Sequence, residues 1–282
     1  MTQVQRAGLQ ALTRLIGERR ANQLADLYRR WILVPAEALT YGLSGRGRWS
    51  RRRLAELAGA YAGKRCFIIG NGPSLQGMDL TRLRGEHTFG LNRGYLLFDR
   101  IGAPTTFLVS VNDHVVRQFG ADLVAAGLPL FVSWRARRWV PRTGDPIFIK
   151  RGRPFSFSSD IAGDGAWEGA TVTFVAMQLA FHMGFAEVIL IGVDHSFSST
   201  GPANKLVTSQ GTDPNHFDPS YFGPGVQWQL PDLEMSEVAY RLARDQFAQH
   251  GRTIVDATVD GRLDVFPKAS YDALTRTPPM GQ

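Results

Sequence analysis

Short runs of apolar residues recur along the chain from residue 64 onwards. Each run is bounded by glycine, proline or polar residues, and its length predicts a β-strand. The runs lie at 66–70, 88–91, 106–111, 130–133, 188–193 and 253–256. Residues 171–183 would form a helix that is apolar on almost every side, and residues 232–250 an amphipathic helix. This alternation predicts an α/β fold, with a Rossmann-like, mostly parallel sheet and helices on both faces.

The first 63 residues follow another pattern, which predicts a helical N-terminal arm (1–63) before a nucleotide(-sugar)-binding α/β domain (64–282). Leucines at helical spacing predict a helix over 5–28, and a second amphipathic run covers 54–62. Between them, residues 28–53 combine arginine with tryptophan and tyrosine. Residues 1–65 hold 13 Lys and Arg against 4 Asp and Glu, whereas the rest of the chain holds 19 against 21. The basic excess therefore belongs to the arm.

Two interpretations fit this basic arm. Arginine among aromatic residues on amphipathic sequence suits peripheral contact with an anionic membrane through residues 28–53. A helical arm packed on the main domain, with its arginines in solvent, fits as well. Nucleic acid is not expected as a partner, because the basic stretch is short and no nucleic-acid-binding motif accompanies it.

The composition predicts a cytoplasmic protein, either free or at the inner face of the membrane. The 282 residues include a single cysteine, Cys66, so no internal disulfide is expected. No stretch reaches the roughly 18 uncharged apolar residues of a membrane span. The N-terminus lacks the apolar core and the cleavage site of a signal peptide.

Residues 197–232 form a long stretch that is rich in glycine, proline, asparagine and aspartate. Such stretches in compact domains are usually lids or disordered segments. This one contains His216 and several aromatic residues, among them Tyr221 and Trp228. An ordered lid is therefore predicted, and we refer to residues 197–232 as the lid segment.

Polar side chains directly follow four of the predicted strands. They are Asn71, Asn92, Asn112 with Asp113, and Asp194 with His195. Ligands bind outside the carboxyl ends of the strands in an open α/β sheet. Three asparagines at successive strand ends therefore predict a shared ligand site. The plainer explanation is that Asn and Asp favour turns whatever the function.

The most specific motif, GNGPSL, runs from Gly70 to Leu75 after the first strand. Gly70 and Gly72 allow a tight turn and the close approach of a ligand. Pro73 suits the first position of a helix. The backbone amides of Ser74 and Leu75 would then be free to bind an anion, such as a phosphate group. The motif is neither the dinucleotide fingerprint nor a P-loop.

This motif, the later Asn92 and Asn112, and the strand that ends in Gly192-Val193-Asp194 resemble the bacterial sialyltransferases that use CMP-sialic acid. The layout is also similar to the MptE-like family (6-hydroxymethylpterin diphosphokinase MptE-like), which includes the motility accessory factor glycosyltransferases. The resemblance covers roughly residues 64–260. Through 213–217 and 227–232 it is greatest to an uncharacterised bacterial branch of the MptE-like family.

The sialyltransferase resemblance implies a glycosyltransferase-like enzyme that moves an acidic, CMP-activated sugar from a nucleotide donor to a glycan or envelope acceptor. It implies that no metal or other cofactor is required. The residues that it places at the donor are Asn71, Ser74, Asn92, Asn112, Thr171 and Thr173. Donor-binding candidates in the same loops are Gly70, Gly72, Pro73, Arg93 and Asp113.

Two positions depart from the sialyltransferase pattern. The arginine expected before the buried helix is absent, and Glu168 or Gly169 stands in its place. The tyrosines expected after the strand that ends at Asp194 are replaced by His195 and Ser196. Contact with the donor phosphate is therefore left to Tyr221, His195 or Arg93.

An inverting transfer needs one base to take the proton of the acceptor hydroxyl, and imidazole titrates near neutrality. The resemblance places the catalytic base in the lid, where His216 is the candidate. His195, directly after a predicted strand, is the second candidate. Asp194 would orient a partner or contact a ribose.

Two other functions remain open from the sequence. A diphosphokinase like the pterin enzymes would transfer pyrophosphate from ATP with Mg²⁺, and it needs carboxylates that converge on the metal. Only single acids follow the predicted strands, at Asp113 and Asp194. The third function is binding of a nucleotide or glycan without turnover.

Overall fold

A computed structural model describes residues 34–199 and 201–276 of the chain. The predicted helix over 5–28 and the beginning of the basic stretch, residues 28–33, lie outside the described residues. The chain divides into two compact units, residues 1–48 and residues 49–282. The division thus falls earlier in the chain than the predicted boundary between residues 63 and 64.

The described part of the first unit consists of helix α1 (Val34–Leu43) and the first residues of helix α2 (Gly45–Leu57). Helix α1 buries Tyr41 and exposes Leu39 and Leu43. Within residues 34–199 and 201–276, no helix has the length and apolar character that a membrane crossing requires.

The basic cluster before residue 54 is helical. We expected an amphipathic run over 54–62, but α2 begins at Gly45 and ends at Leu57, so the first part of that run is the end of a longer helix and turns follow it. Residues 51–53 are exposed arginines, whereas Leu54 is completely buried in a core of the second unit. Membrane contact through residues 28–53 stays a prediction.

The described strands all belong to the second unit. They are β1 (Arg65–Ile69), β2 (Thr88–Leu91), β3 (Phe107–Ser110), β4 (Leu130–Ser133), β5 (Ile147–Ile149), β6 (Glu187–Ile191), β7 (Leu206–Thr208), β8 (Gln227–Gln229) and β9 (Thr253–Asp256). Seven of them form one parallel sheet with the order β5-β4-β3-β2-β1-β6-β9. This Rossmann-like arrangement confirms the predicted fold class. Strands β7 and β8 form a separate antiparallel pair in the lid segment.

The apolar pattern predicts six of the seven sheet strands to within two residues at each end. It succeeds because the strands of a parallel sheet are buried on both faces and therefore read as continuous apolar runs. Strand β5 was not predicted, because its three residues are too few to stand out as a run. The pair β7–β8 was not predicted either, because its residues are mostly only part-buried or exposed.

The remaining α-helices of the second unit are α3 (Phe98–Ile101), α4 (Asp113–Ala125), α5 (Ile161–Asp164), α6 (Val172–His182), α7 (Leu233–Gln249) and α8 (Tyr271–Thr275). Helix α6 packs against β1, β2 and β3 and against α7, which explains why it is apolar on almost every side. Its polar Gln178 is satisfied: the side chain accepts from the Ser158 amide at 3.0 Å and donates to the Trp167 carbonyl at 2.7 Å.

Both faces of the sheet are buried. Along β1, Cys66 and Ile68 belong to the core that contains α6, whereas Phe67 and Ile69 belong to a second core. This alternation follows from the two-residue period of a strand. The lid segment contributes to the second core through Phe217, Tyr221, Phe222, Trp228 and Leu230. Much of the lid segment is therefore packed into the fold.

Candidate functional site

The chain reverses the direction in which it adds strands at β1. Strands β2 to β5 are added outwards on one side of β1, and the chain then returns to place β6 and β9 on the other side. Ligands of open α/β sheets bind at such a switch point, outside the carboxyl ends of the strands. A cavity lies at this position, between the loops that follow β1 and β6, and we call it the switch-point cavity.

The switch-point cavity offers about 150 Å³ to water-sized molecules and about 670 Å³ when its open mouth is included. Its walls are the loops after β1 and β6, the start of α6, part of the lid segment and the start of α7. Among the described residues that line it there is no lysine or arginine. The predicted site residues that line it are Gly70, Asn71, Gly72, Thr171, Thr173, Asp194, His195 and His216.

Asp194 joins the loops that follow β1 and β6. Its carboxylate accepts hydrogen bonds from the Ser74 backbone amide at 3.0 Å and from the Ser74 hydroxyl at 2.8 Å. The two glycines of the motif permit this close approach. A Cβ atom on Gly70 would overlap the Gly192 carbonyl oxygen. A Cβ atom on Gly72 would overlap the Asp194 carboxylate.

The expectation that Ser74 and Leu75 present free backbone amides to a phosphate is therefore wrong. The Ser74 amide donates to Asp194, and the Leu75 amide donates to the Gly72 carbonyl at 3.2 Å. The residues Pro73–Gly77 form a short 3₁₀ helix, which Pro73 begins as expected. Instead of an anion site, this part of the GNGPSL motif makes the junction between two strand ends.

Asn71 is the polar side chain of the motif that lines the cavity. Its Nδ2 donates to the Leu91 carbonyl at 3.2 Å, and its backbone carbonyl accepts from the Phe217 amide at 2.9 Å. Its Oδ1 is buried and has no hydrogen-bond partner among the described residues. Since buried polar atoms normally have a partner, Oδ1 of Asn71 is a candidate acceptor for a ligand.

The junction predicts a pH-dependent stability difference in the variant Asp194→Asn. Burial raises the pKa of Asp194, and the bonds from Ser74 offset only part of that effect. The contribution of Asp194 to the free energy of unfolding is thus greatest at acidic pH and is lost as the pH rises through the raised pKa. Asparagine cannot ionise, its oxygen can still accept from the Ser74 amide, and its Nδ2 can donate to the Ser74 hydroxyl, which then acts as the acceptor. Relative to the unchanged protein, the variant is therefore expected to gain stability as the pH rises above about 4, the ordinary pKa of an aspartate, until the pH has passed the raised pKa of Asp194.

Urea unfolding at several pH values, with both proteins measured side by side, checks this expectation. A difference in unfolding free energy that stays constant over the range would contradict it.

The N-terminus of helix α6 also lines the cavity. Its N-cap is Thr171, whose hydroxyl accepts from the Thr173 amide at 3.3 Å and lies 3.3 Å from the Tyr240 hydroxyl. Ala170, just before the cap, has a φ of 63°, a left-handed conformation that costs a non-glycine residue roughly 1–3 kcal/mol. The partial positive charge at the start of a helix favours a negatively charged ligand group at this wall.

His216, on the wall formed by the lid segment, is paired with a buried carboxylate. Its Nδ1 lies 2.6 Å from Oδ2 of Asp213, whose side chain is 3% exposed. The second oxygen of Asp213 accepts from the Asn215 amide at 2.9 Å, which fixes the carboxylate. Nε2 of His216 has no hydrogen-bond partner within the described part of the chain. A carboxylate at Nδ1 holds the proton there, so that Nε2 is free to accept one.

The His216 ring is held in place by the residues around it. It stacks on Tyr221 with the ring centroids 4.1 Å apart and the planes 6° from parallel. The Arg93 amide donates to the Tyr221 hydroxyl at 3.3 Å, and the Arg93 guanidinium donates to the carbonyls of Ser220 and Tyr221. Burial raises the pKa of Tyr221 far above its usual value, so this hydroxyl stays protonated. Arg93 and Tyr221 do not line the cavity, and their contacts support the histidine instead of a phosphate.

His195 enters the cavity wall from the loop after β6. Its φ of 53° is left-handed, and its side chain is 8% exposed. Nε2 lies 3.2 Å from Oε1 of Glu237 on α7, and the other oxygen of Glu237 pairs with Arg241 at 2.5 Å. Nδ1 of His195 has no hydrogen-bond partner among the residues that the structure describes. The cavity therefore contains two histidines that are each paired with a carboxylate through one ring nitrogen.

The other two asparagines at strand ends do not line this cavity, contrary to the prediction of a shared site. Asn92 accepts from the Ser110 hydroxyl at 3.1 Å. Asn112 is the N-cap of α4, where its side chain accepts from the His114 amide at 2.8 Å. Both make the local hydrogen bonds that asparagine typically makes at turns and helix starts, so the plainer explanation holds for them.

Asp113 also lies away from the cavity, in a charged cluster with Arg135 and Glu168. The Arg135 guanidinium binds the two carboxylate oxygens of Glu168 at 2.8 and 2.6 Å and lies 3.7 Å from Asp113. Burial raises the pKa of Glu168, and the charge of Arg135 opposes that effect. Within the described ranges, no group of three or more His, Cys, Asp or Glu side chains could hold a metal ion.

The sequence indicates both histidines of the cavity as candidates but neither of the carboxylates that pair with them. Asp213 precedes His216 by three residues in a proline-containing turn, and this spacing could have indicated the pair. Glu237 is 42 residues from His195 on a surface-facing part of α7, and no local pattern connects the two.

The similarity of this chain to known proteins is low. No family model matches the chain, and no curated protein matches it. One solved structure that is similar is the sialyltransferase CstII from Campylobacter jejuni, in complex with the substrate analogue CMP-3FNeuAc. The two chains are 14% identical, with a TM-score of 0.44, over 73% of this chain and 86% of that one. A likeness at this level says nothing about what this chain binds or catalyses.

Proposed function

We propose that the protein is a glycosyltransferase-like enzyme that binds a nucleotide-sugar in the switch-point cavity and uses His216 as its general base. The observation that carries the proposal is the Asp213–His216 pair on the cavity wall. The two atoms that form the pair are 2.6 Å apart, and the unpaired Nε2 is the atom that can accept a proton.

The position of the cavity supports a nucleotide-containing ligand. It lies at the switch point of a parallel Rossmann-like sheet, where nucleotides characteristically bind in such folds. The start of α6 supplies a partial positive charge for a phosphate or carboxylate. Oδ1 of Asn71 supplies a buried acceptor for a base amino group or a sugar hydroxyl.

In the proposed reaction, the hydroxyl oxygen of the acceptor attacks the anomeric carbon of the donor sugar. The bond from that carbon to the phosphate oxygen breaks, and its electron pair leaves with the nucleotide. Nε2 of His216 takes the hydroxyl proton, and the resulting imidazolium is stabilised by Asp213. Among the described residues, no nucleophile of the chain is hydrogen-bonded to Nε2. We therefore assign this nitrogen to a hydroxyl of the ligand.

The nature of the donor is the finer part of the proposal. The similarity of GNGPSL and of the strand that ends at Asp194 to the sialyltransferase motifs supports a CMP-linked acidic sugar as donor and a glycan or envelope acceptor. The same motifs support a place in the MptE-like family. We propose that transfer needs no metal.

Nucleotide binding is the test of this proposal. CMP without Mg²⁺ is expected to raise the melting temperature of the full-length protein by several degrees. The reason is that a ligand at 100 times its Kd stabilises the native state by about 2.7 kcal/mol. The measurement is a thermal-shift series with CMP, CDP, UDP, GDP and ATP, each with and without Mg²⁺, followed by calorimetric titration.

If ATP with Mg²⁺ is the only ligand of the series that stabilises the protein, the proposed transferase is wrong and a diphosphokinase is supported. If none of the nucleotides stabilises the protein, both enzymatic functions are contradicted, and binding of a glycan without turnover is the function that remains.

A further inference from the structure

We infer that His195, paired with Glu237, binds the phosphate of the nucleotide donor in the switch-point cavity. The inference rests on the proposed function, and it assigns to one residue the recognition of the charged group that every nucleotide donor carries.

The charges at the cavity lead to this assignment. The described residues that line the cavity include no lysine or arginine, although a nucleotide donor brings at least one phosphate charge. The groups among them that can supply positive charge are the N-terminus of α6 and the two histidines, and of these His216 is neutral when it acts as the base. Asp194 adds a carboxylate to the same wall, which increases the need for a group that compensates the phosphate.

The two histidines are paired with their carboxylates through different ring nitrogens. His216 is paired through Nδ1, and its Nε2 is the free atom, which suits a base. His195 is paired through Nε2, and its Nδ1 is the free atom. When the His195 ring is protonated, Nε2–H donates to Glu237 and Nδ1–H is available to a phosphate oxygen. Charge-assisted hydrogen bonds of this kind are about twice as strong as neutral ones.

The position of His195 supports a task in binding. Its left-handed φ of 53° sets the direction of the ring at the end of β6, next to the junction made by Asp194. Strained residues of this kind cluster at ligand sites. Glu237 is the positioning residue, and it is itself held by Arg241 one helical turn further along α7.

Two arginines that follow strands of the sheet, Arg93 after β2 and Arg135 after β4, are already engaged. The Arg93 guanidinium donates to the carbonyls of Ser220 and Tyr221. The Arg135 guanidinium binds the carboxylate of Glu168. Neither residue lines the cavity.

The test compares nucleotides with their nucleosides. Calorimetric titration gives the Kd of CMP, UMP, GMP and AMP, each against its nucleoside, for the full-length protein and three variants. His195→Asn removes the imidazole, and asparagine tolerates the left-handed backbone. Glu237→Gln removes the charge behind the ring. His250→Gln changes an exposed histidine at the end of α7 that does not line the cavity and serves as the matched control.

We expect the unchanged protein to bind one nucleoside monophosphate about 10 to 100 times more tightly than its nucleoside. His195→Asn should reduce this preference several-fold, to what the N-terminus of α6 provides, and should leave the affinity for the nucleoside within about threefold. Glu237→Gln should reduce the preference less, and His250→Gln should not change it.

If nucleotides bind but His195→Asn keeps the full preference for the phosphate, the assignment of His195 is overturned and the proposed function stands. If Glu237→Gln has no effect while His195→Asn does, the role of Glu237 is overturned. If the unchanged protein binds none of the nucleotides, the proposed function fails together with this inference.

Discussion

Replacement of His216 by alanine is expected to slow sugar transfer by about 10²–10⁴-fold and to leave the affinity for the nucleotide within a few-fold. The loss follows because Nε2 of His216 is the atom assigned to the acceptor proton, and removal of a general base typically costs this much. Nucleotide release from CMP-sialic acid, or from the nucleotide-sugar that binds best, measures the rate in the presence of an acceptor. Calorimetric titration measures the affinity.

A second variant distinguishes the loss of the base from the loss of the ring that packs on Tyr221. His216→Phe keeps an aromatic ring to stack on Tyr221 but has no nitrogen, so it should be as slow as His216→Ala while the lid segment stays folded. Asp213→Asn should also be slow, because an amide facing Nδ1 favours the tautomer in which Nε2 carries the proton.

Residues that act as one unit are strongly non-additive, so the double variant of Asp213 and His216 should be no slower than the slower single variant. Transfer at an undiminished rate in His216→Phe would show that His216 is not the base.

Replacement of Gly70 by alanine is expected to destabilise the fold by roughly 3 kcal/mol or more. The new Cβ would overlap the backbone carbonyl of Gly192, and neither backbone can move freely because β1 and β6 are paired along their length. Overpacking costs of 1–3 kcal/mol assume side chains that can adjust, which is not the case for this contact. Urea unfolding followed by circular dichroism measures the change.

Gly77→Ala is the matched control, because it makes the same substitution seven residues further along the chain. A Cβ at this position meets nothing within 4 Å, and a change of about 0.5 kcal/mol or less is expected. Equal stabilities of the two variants would mean that the strand junction is not the tight contact described above. Loss of nucleotide binding in Gly70→Ala with unchanged stability would instead point to a ligand as the reason for this glycine.

The sheet was predictable because strands that are buried on both faces consist of continuous apolar residues. Strand β6 shows this best: its five residues are apolar apart from the first, and the prediction misses its ends by at most two residues. The same physics explains the failure at β5, where three residues do not distinguish a strand from any other short apolar group. Helix α4 was not predicted, since the residues before it were considered only as the end of a strand.

The roles of the asparagines at the strand ends could not be predicted from the local sequence. Asn71, Asn92 and Asn112 each come directly after a strand and look alike in the sequence. In the structure, Asn71 lines the cavity, Asn92 binds a neighbouring serine, and Asn112 caps a helix. A ligand contact and a helix cap require the same side chain at the same kind of position, so the sequence cannot separate them.

By itself, the sequence determined the parallel α/β class, the loops that meet at the carboxyl edge of the sheet, and His216 and His195 as candidate bases. The class and the loops are local properties of burial and turn formation, whereas His216 became a candidate through the resemblance to the sialyltransferases and His195 through its place after a predicted strand. Only the tertiary structure decided which polar groups are already engaged. Asp194 takes the amide of Ser74 from 120 residues away, Arg93 holds the lid segment, and the two histidines receive their carboxylates. A hydrogen bond between distant segments depends on how the strands are ordered in space, and that order leaves no periodic trace in the chain.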